Sequence, residues 1–467
     1  MPGCHRSKIT RLPTKRKYFT RGWTYQEYLL STLLLVFVDN RVVWLCQEHE
    51  WQEGFREALD CHSAETAFLT ESVMKKELTY PDLWTFKDYV EKYNVRNLSY
   101  DCDALAAFSG IVSRSSSTFL GGFLQALPEF YFDIAILWQP ADPLRRRVAD
   151  QEQYWAPSWS WVGWKGALNL DLWELGICNP ATAGRSYEIE VSTLVTWSKM
   201  TKPHGARLPI DNSYHEYYQL RVPERRTGTV GNQYQHEPDF LSRITSRNSH
   251  VKLYLEGWSL STWNIARGST SWPCYRHLAV TTPCSYPVPI QRSATSPQSQ
   301  DYWYLHCKTA RSYFHIGEPL DRRKEEQPIS CMPVTLVDKS REIAGVIRLN
   351  GKRMPSEEGV LCELVAISKG QANLGFSGPM YVLDEGSDLN CLRRLADIRG
   401  GSDDFPYNDL EEKTEDQYLR NYVGYYEFIN VLWVEWKGGV AYRKALGRVF
   451  KEVWEAQALE EVDLVLG

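Results

Sequence analysis

Four soft ligands fall within a short stretch: Cys46 and His49, spaced as C-x-x-H, then the adjacent pair Cys61 and His62. Thiolates and imidazoles in that number suit tetrahedral zinc. Cys61 and His62 point to opposite sides of an extended chain, so no metal site is expected from the set. Asp101-x-Asp103 offers two carboxylates that could hold a metal–nucleotide. Its place where a helix should start favours capping instead, because a carboxylate there accepts first-turn amides. In Ala156-Pro157-Ser158-Trp159-Ser160-Trp161, hydroxyls and indoles alternate. A strand would set both indoles on one face and both hydroxyls on the other. Exposed, Trp159 and Trp161 would stack on sugar rings as a carbohydrate-binding module; buried, they are packing mass, and packing is the expectation. Two further patterns fail on spacing. Gly345 and Gly351 are separated by five residues rather than four, and Arg353 stands where a phosphate loop needs its Ser or Thr. Gly375-Phe376-Ser377-Gly378 is followed by Pro379, which removes the second glycine of a nucleophile elbow.

The elements that must position these residues are legible from periodicity. Thr24-Tyr25-Gln26-Glu27 has the form of a capping box, which predicts a short helix through Leu30. Leu33 to Val38 and Arg41 to Cys46 are β-rich runs around Asp39-Asn40, a pair that tolerates the backbone of a tight hairpin. Leu83, Phe86, Tyr89, Val90 and Tyr93 recur at helical spacing, as do Leu105, Phe108, Ile111 and Val112; Leu127 to Trp138 continues as an apolar segment. Beyond Trp155 the chain breaks into strand-like runs: 187–197, 217–222, 251–257, 302–307, 343–349, 361–367 and 428–436. Leu446, Val449, Phe450, Val453, Trp454 and Gln457 fall on one face of a predicted C-terminal amphipathic helix. The fold class expected is therefore α+β, with a helix-dominated first third, a β-rich middle of antiparallel sheets and that closing helix.

Composition narrows the function classes. The 467 residues carry 58 acids and 53 bases, a net charge of -5 that gives no bulk pull toward nucleic acid or membrane. With 18 Trp, 27 Tyr and 16 Phe, large rings must supply much of the burial. The 11 cysteines form no C-x-x-C pair and are odd in number, which argues for reduced thiols and a cytoplasmic setting. The longest apolar run, Leu33 to Val38, falls far short of the ~20 residues of a membrane span. Residues 1–20 read as a basic, disordered leader; 21–150 and 151–467 are the expected main divisions, with a mobile loop near 285–301.

The residues Arg21-Gly22-Trp23-Thr24-Tyr25-Gln26-Glu27-Tyr28-Leu29-Leu30-Ser31 and the hairpin ending Val43-Trp44-Leu45-Cys46 resemble the closing motif of the fungal heterokaryon-incompatibility (HET) domain. Leu98 to Ile111, Ala135 to Trp138, Ala156 to Trp161 and Asn430 to Trp436 are similar to segments that follow that domain. The usual upstream Trp-Gly and Trp-Ile-Asp type motifs have no counterpart before Arg21, so the resemblance is to the last part of the domain with its family-specific extension, as in a truncated or degenerate paralogue. It implies nonself recognition between fungal individuals leading to programmed cell death, with an unidentified protein partner and no cofactor. A distant likeness of the family to TIR domains implies, as the alternative, NAD hydrolysis in which Glu27 beside Arg21 would be catalytic. Read from the residues alone, Thr24 and Glu27 serve the helix start and Arg21 is expected to pair with Glu27; the resemblance makes these three, with Gly22, Trp23, Gln26, Asp101, Pro157, Ser158, Trp159, Ser160 and Trp161, family-motif positions, expected to be structural.

Overall fold

The computed structural model describes residues 17–38, 41–46, 49–53, 59–60, 80–148, 156–176, 188–220, 257–264, 271–290, 302–319, 331, 333–351, 359–374 and 424–467. Helices α1 (Lys17–Thr20) and α2 (Trp23–Leu30) lead into a four-stranded antiparallel sheet of β1 (Leu33–Val38), β2 (Arg41–Cys46), β3 (His49–Gln52) and β4 (Leu59–Asp60). The β1–β2 register runs from Val38 opposite Arg41 to Leu33 opposite Cys46, as a two-residue connection requires. Asp39 and Asn40 themselves lie outside the described residues. Helix α3 (Leu83–Asn94) starts at Asp82, whose carboxylate accepts the Thr85 amide at 3.1 Å. It buries the five apolar positions that its spacing predicts.

The rest of the first third is mixed: α4 (Ser109–Ser115), the four-residue α5 (Phe132–Ala135) and 3-10 turns alternate with two-residue strands such as Phe123–Leu124 and Leu127–Pro128. The segment 127–138 is buried at every position. An apolar run enclosed on all sides has no exposed face to impose a helical period, so its contacts set the backbone instead.

The β-rich part is a closed barrel. Its strands are β5 (Glu188–Thr193), β6 (Ser198–Met200), β7 (Tyr304–Pro319), β8 (Pro333–Val337), β9 (Ile343–Arg348), β10 (Leu361–Leu374), β11 (Gly424–Lys437), β12 (Val440–Phe450) and β13 (Glu460–Leu466). Between β6 and β7 comes helix α6 (Tyr214–Tyr218), and between β12 and β13 comes α7 (Lys451–Glu455). Antiparallel pairing runs β7–β10–β11–β12–β9–β8 and returns from β8 to β7, so six strands form a ring. Closure satisfies the main-chain groups that an open edge would leave unpaired. β13 pairs with the first part of β7 and touches β12, and β5 and β6 extend the sheet from β10 and β7. A separate three-stranded meander comprises Trp258–Asn264, Ser271–His277 and Val280–Cys284.

Three sequence expectations change here. The predicted C-terminal helix is mostly strand: Leu446, Val449 and Phe450 belong to β12, Val453 and Trp454 to the five-residue α7, and the described chain ends in β13. A strand buried on both sides carries apolar residues at either parity, which mimics helical spacing. Residues expected as a strand from Tyr217 instead include the end of α6, where Tyr217 packs edge-on against Phe130 and the Tyr214 hydroxyl donates to Val191 O. In the expected mobile loop, Tyr286 and Val288 are buried and Trp258 Nε1 donates to Val288 O at 3.1 Å; 291–301 lie outside the described residues. One apolar core spans both sides of the expected boundary near residue 150.

Candidate functional site

Helix α2 carries most of the 21–31 motif, and its side chains are used to seat it. Gly22 occupies the N-cap with φ -64 and ψ -51, and no side chain caps the helix. The capping box is thus not formed: Thr24 lies inside the first turn, and its hydroxyl donates back to the Tyr18 and Arg21 carbonyls, the latter at 3.0 Å. A Cβ on Gly22 would collide with Leu98, and the Gly22 amide donates to Asn97 O at 2.7 Å, so glycine permits the close approach of these segments. Gln26 Oε1 accepts the Gly110 amide at 3.0 Å, which satisfies an amide at the start of α4. Trp23 Nε1 donates to Asp103 at 3.3 Å. Glu27 and Arg21 are both exposed, and no ion pair joins them, contrary to expectation. The cation that serves this corner is Arg96, missed by sequence reasoning: it donates to Phe19 O at 2.5 Å and stacks 4.3 Å over the Tyr25 ring.

Asp101 is an ion-pair anchor rather than a cap. Arg145 grips its two oxygens at 2.6 and 3.0 Å, the Val148 amide donates at 3.2 Å, and Arg147 lies 3.8 Å away. Burial opposes ionisation, but the Arg145 bond, the Val148 amide and the two cations outweigh it and hold the carboxyl below its ordinary value. No cap bond forms because Asp101 begins a single 3-10 turn whose N-cap is Tyr100. With Asp103 turned to Trp23, the two carboxylates do not converge on a metal.

Trp159 and Trp161 are fully buried, and the backbone at 161–163 is a 3-10 turn rather than a strand. Their faces are therefore closed to a sugar. Trp161 meets Phe108 edge-on at 5.2 Å and donates to Ala126 O; Trp159 donates to Trp303 O. Ser160 Oγ caps that turn through the Val162 amide and donates to Gln125 O at 2.7 Å. Ser158 joins the far end of the chain: its amide and hydroxyl both donate to Gly467 O, and its oxygen accepts the Arg443 amide at 2.8 Å. The Pro157 carbonyl accepts from Arg146 at 3.2 Å. Arg443, on β12, donates to the Ile136 carbonyl at 2.7 Å and to that of Trp138, and lies 3.8 Å over the Trp138 ring. Burial pushes it down to about 9.

A buried polar centre was hidden in the apolar run. Glu129 is buried against Lys199 at 2.5 Å and accepts the Asp211 amide at 3.2 Å. Burial outweighs both contacts and raises its carboxyl above the usual value. One turn on, fully buried Asp133 accepts from Trp197 Nε1 at 3.1 Å and faces His215 Nε2 at 3.1 Å. Asp133 thus orients the His215 ring through Nε2, which is the orienting half of a general-base arrangement. No serine or cysteine hydroxyl or thiol is bonded to that ring among the described residues. Cys307 is pushed up by burial first and then by Asp133 and Asp463, which keeps it a thiol. The turn before Glu129 holds Gln125 and Ala126 at φ 47 and 62, a costly conformation for side-chain-bearing residues. Two acids four residues apart within an apolar segment were the available signal.

Among the described residues, no group of three or more His, Cys, Asp or Glu is placed to hold a metal ion. Cys46 lies half-buried on β2; Cys61 and His62 fall outside the described residues, as does the His49 side chain. No described helix is long and apolar enough to cross a membrane. Compared with protein-family models, curated proteins and solved structures, the chain matches none.

Proposed function

We propose that this chain is a non-enzymatic recognition and signalling protein of the heterokaryon-incompatibility type, acting in nonself recognition and programmed cell death. One observation carries the reading. The segments that bear the resemblance, dispersed between residues 21 and 436, are joined in space by their own polar side chains. Gln26 and Trp23 bind the 98–111 segment, Trp161 packs on Phe108 from that segment, and Trp138 Nε1 donates to Trp159 O at 2.8 Å. Arg443 then ties 136–138 to β12, the neighbour of the strand that carries 430–436. Side chains consumed in such internal contacts serve architecture, and architecture that presents a surface suits recognition better than turnover.

The test pairs two measurements. Induced expression of the whole chain in a filamentous fungus is expected to arrest hyphal growth, and the purified protein is expected to leave NAD intact. Steady NAD hydrolysis that disappears in Glu27→Gln, with the fold unchanged by circular dichroism, would replace this reading with the nucleotide-hydrolase alternative. Growth unaffected by induction would remove the signalling role.

A further inference from the structure

The hairpin β1–β2 is apolar on both faces, and among the described residues only one of them is covered. Leu34, Val36, Val43 and Leu45 pack against Tyr28 of α2 and Phe19 of α1. The other face is formed by Leu33, Leu35 and Phe37 of β1 with Trp44 and Trp51, since Leu35 is opposite Trp44 and Trp44 is opposite Trp51 in the register. These five are 58%, 57%, 71%, 49% and 38% exposed, and the two indoles meet at 5.9 Å. A solvated antiparallel face normally alternates to polar residues; the uninterrupted run Leu-Leu-Leu-Val-Phe-Val belongs to a strand buried on both sides.

We propose that this face is the interface of a homodimer, closed by the same face of a second copy. Two features select that occupant. No charged residue lies among the five, so they offer nothing to a charged partner surface, whereas an identical apolar face complements them; the adjacent exposed Glu53 is held by the Val42 amide at 3.2 Å. The area also fits. At the size of such side chains, the exposed fractions amount to roughly 600 Å² per copy, and two copies bury about 1,200 Å², the lower bound of a stable specific interface. A patch of roughly 600 Å² is at the upper limit of what monomers leave in water. The two sheets would stack face to face like the layers of a sandwich. This inference is independent of the signalling proposal.

Sedimentation velocity on the full chain is the test. The expected species at micromolar concentration has twice the mass of one chain and persists in roughly 1 M salt, because an apolar interface has no charges to screen. Phe37→Asp and Leu35→Lys, at exposed positions, are expected to raise the dimer dissociation constant more than tenfold while leaving circular dichroism and the thermal midpoint of the monomer unchanged. A monomeric wild type overturns the proposal, as does a dimer that both variants leave intact. Loss of folded structure in both variants also overturns it, since that outcome means another part of the same chain covers the face.

Discussion

Arg443 shows how a charge can be structural. Its guanidinium reaches two main-chain carbonyls and lies on an indole, all within the core. Lysine has a single ammonium and no planar fork, so it cannot meet both carbonyls and the ring together. Arg443→Lys is expected to cost about 2–4 kcal/mol, read as a lower urea midpoint. Asp101 gives a pH-dependent counterpart. Its carboxyl is lower in the fold than its ordinary 3.8, so the stability it contributes is complete above that value and is lost as pH falls through the lower folded one. Asp101→Asn should therefore destabilise the protein at neutral pH, and its deficit relative to wild type should shrink as pH falls below 3.8. Neither role was visible in sequence. Asp101 reads as a cap from its position, and Arg443 reads as one of a run of exposed bases.

At the scale of elements, the barrel depends on close approach between β9 and β12. Gly345 faces Val449 across that pair, and a Cβ there would collide with the Arg448 carbonyl and stand 2.8 Å from Val449 Cα. Both obstacles are main chain, so the strands would have to part. Gly345→Ala is expected to cost about 2–4 kcal/mol by urea denaturation, through overpacking rather than any change in strand propensity. The same glycine begins a phosphate-loop-like pattern that fails on spacing; it lies in the interior of a strand. Hairpin β1–β2, helix α3, the cores of β5, β9 and β11, the start of β7 and the first half of β10 were legible, because each is set by a local pattern of apolar period and flanking turn residues. β12 was not: its two buried faces erase the alternation that would identify it.

The whole molecule is held by rings. Tyr25, Tyr93 and Tyr214 are buried, and burial above all raises their phenols; Tyr275 is pushed up to about 12. The fold keeps these protons while an unfolded chain releases them near 10.0, so above that pH the unfolded state binds fewer protons and stability falls as pH rises. The thermal midpoint is expected to decline steadily beyond about pH 10, with exposed phenols such as Tyr100 ionising in the folded protein and a further rise in tyrosinate absorbance appearing only together with unfolding. Ionisation of all the tyrosines without loss of fold would contradict the enclosure of these rings.

Local order was determined by the sequence alone: the hairpin, the amphipathic α3 and parts of several barrel strands followed from side-chain period, and the burial of Trp159 and Trp161 from ring size. Closure of six strands into a ring, the conversion of the expected last helix into strands, and the pairing of Asp133 with His215 and of Glu129 with Lys199 were decided only in three dimensions. Their partners lie tens to hundreds of residues apart. A periodicity reports which face of an element avoids water, but not which distant element will cover it or which buried charge will meet its opposite.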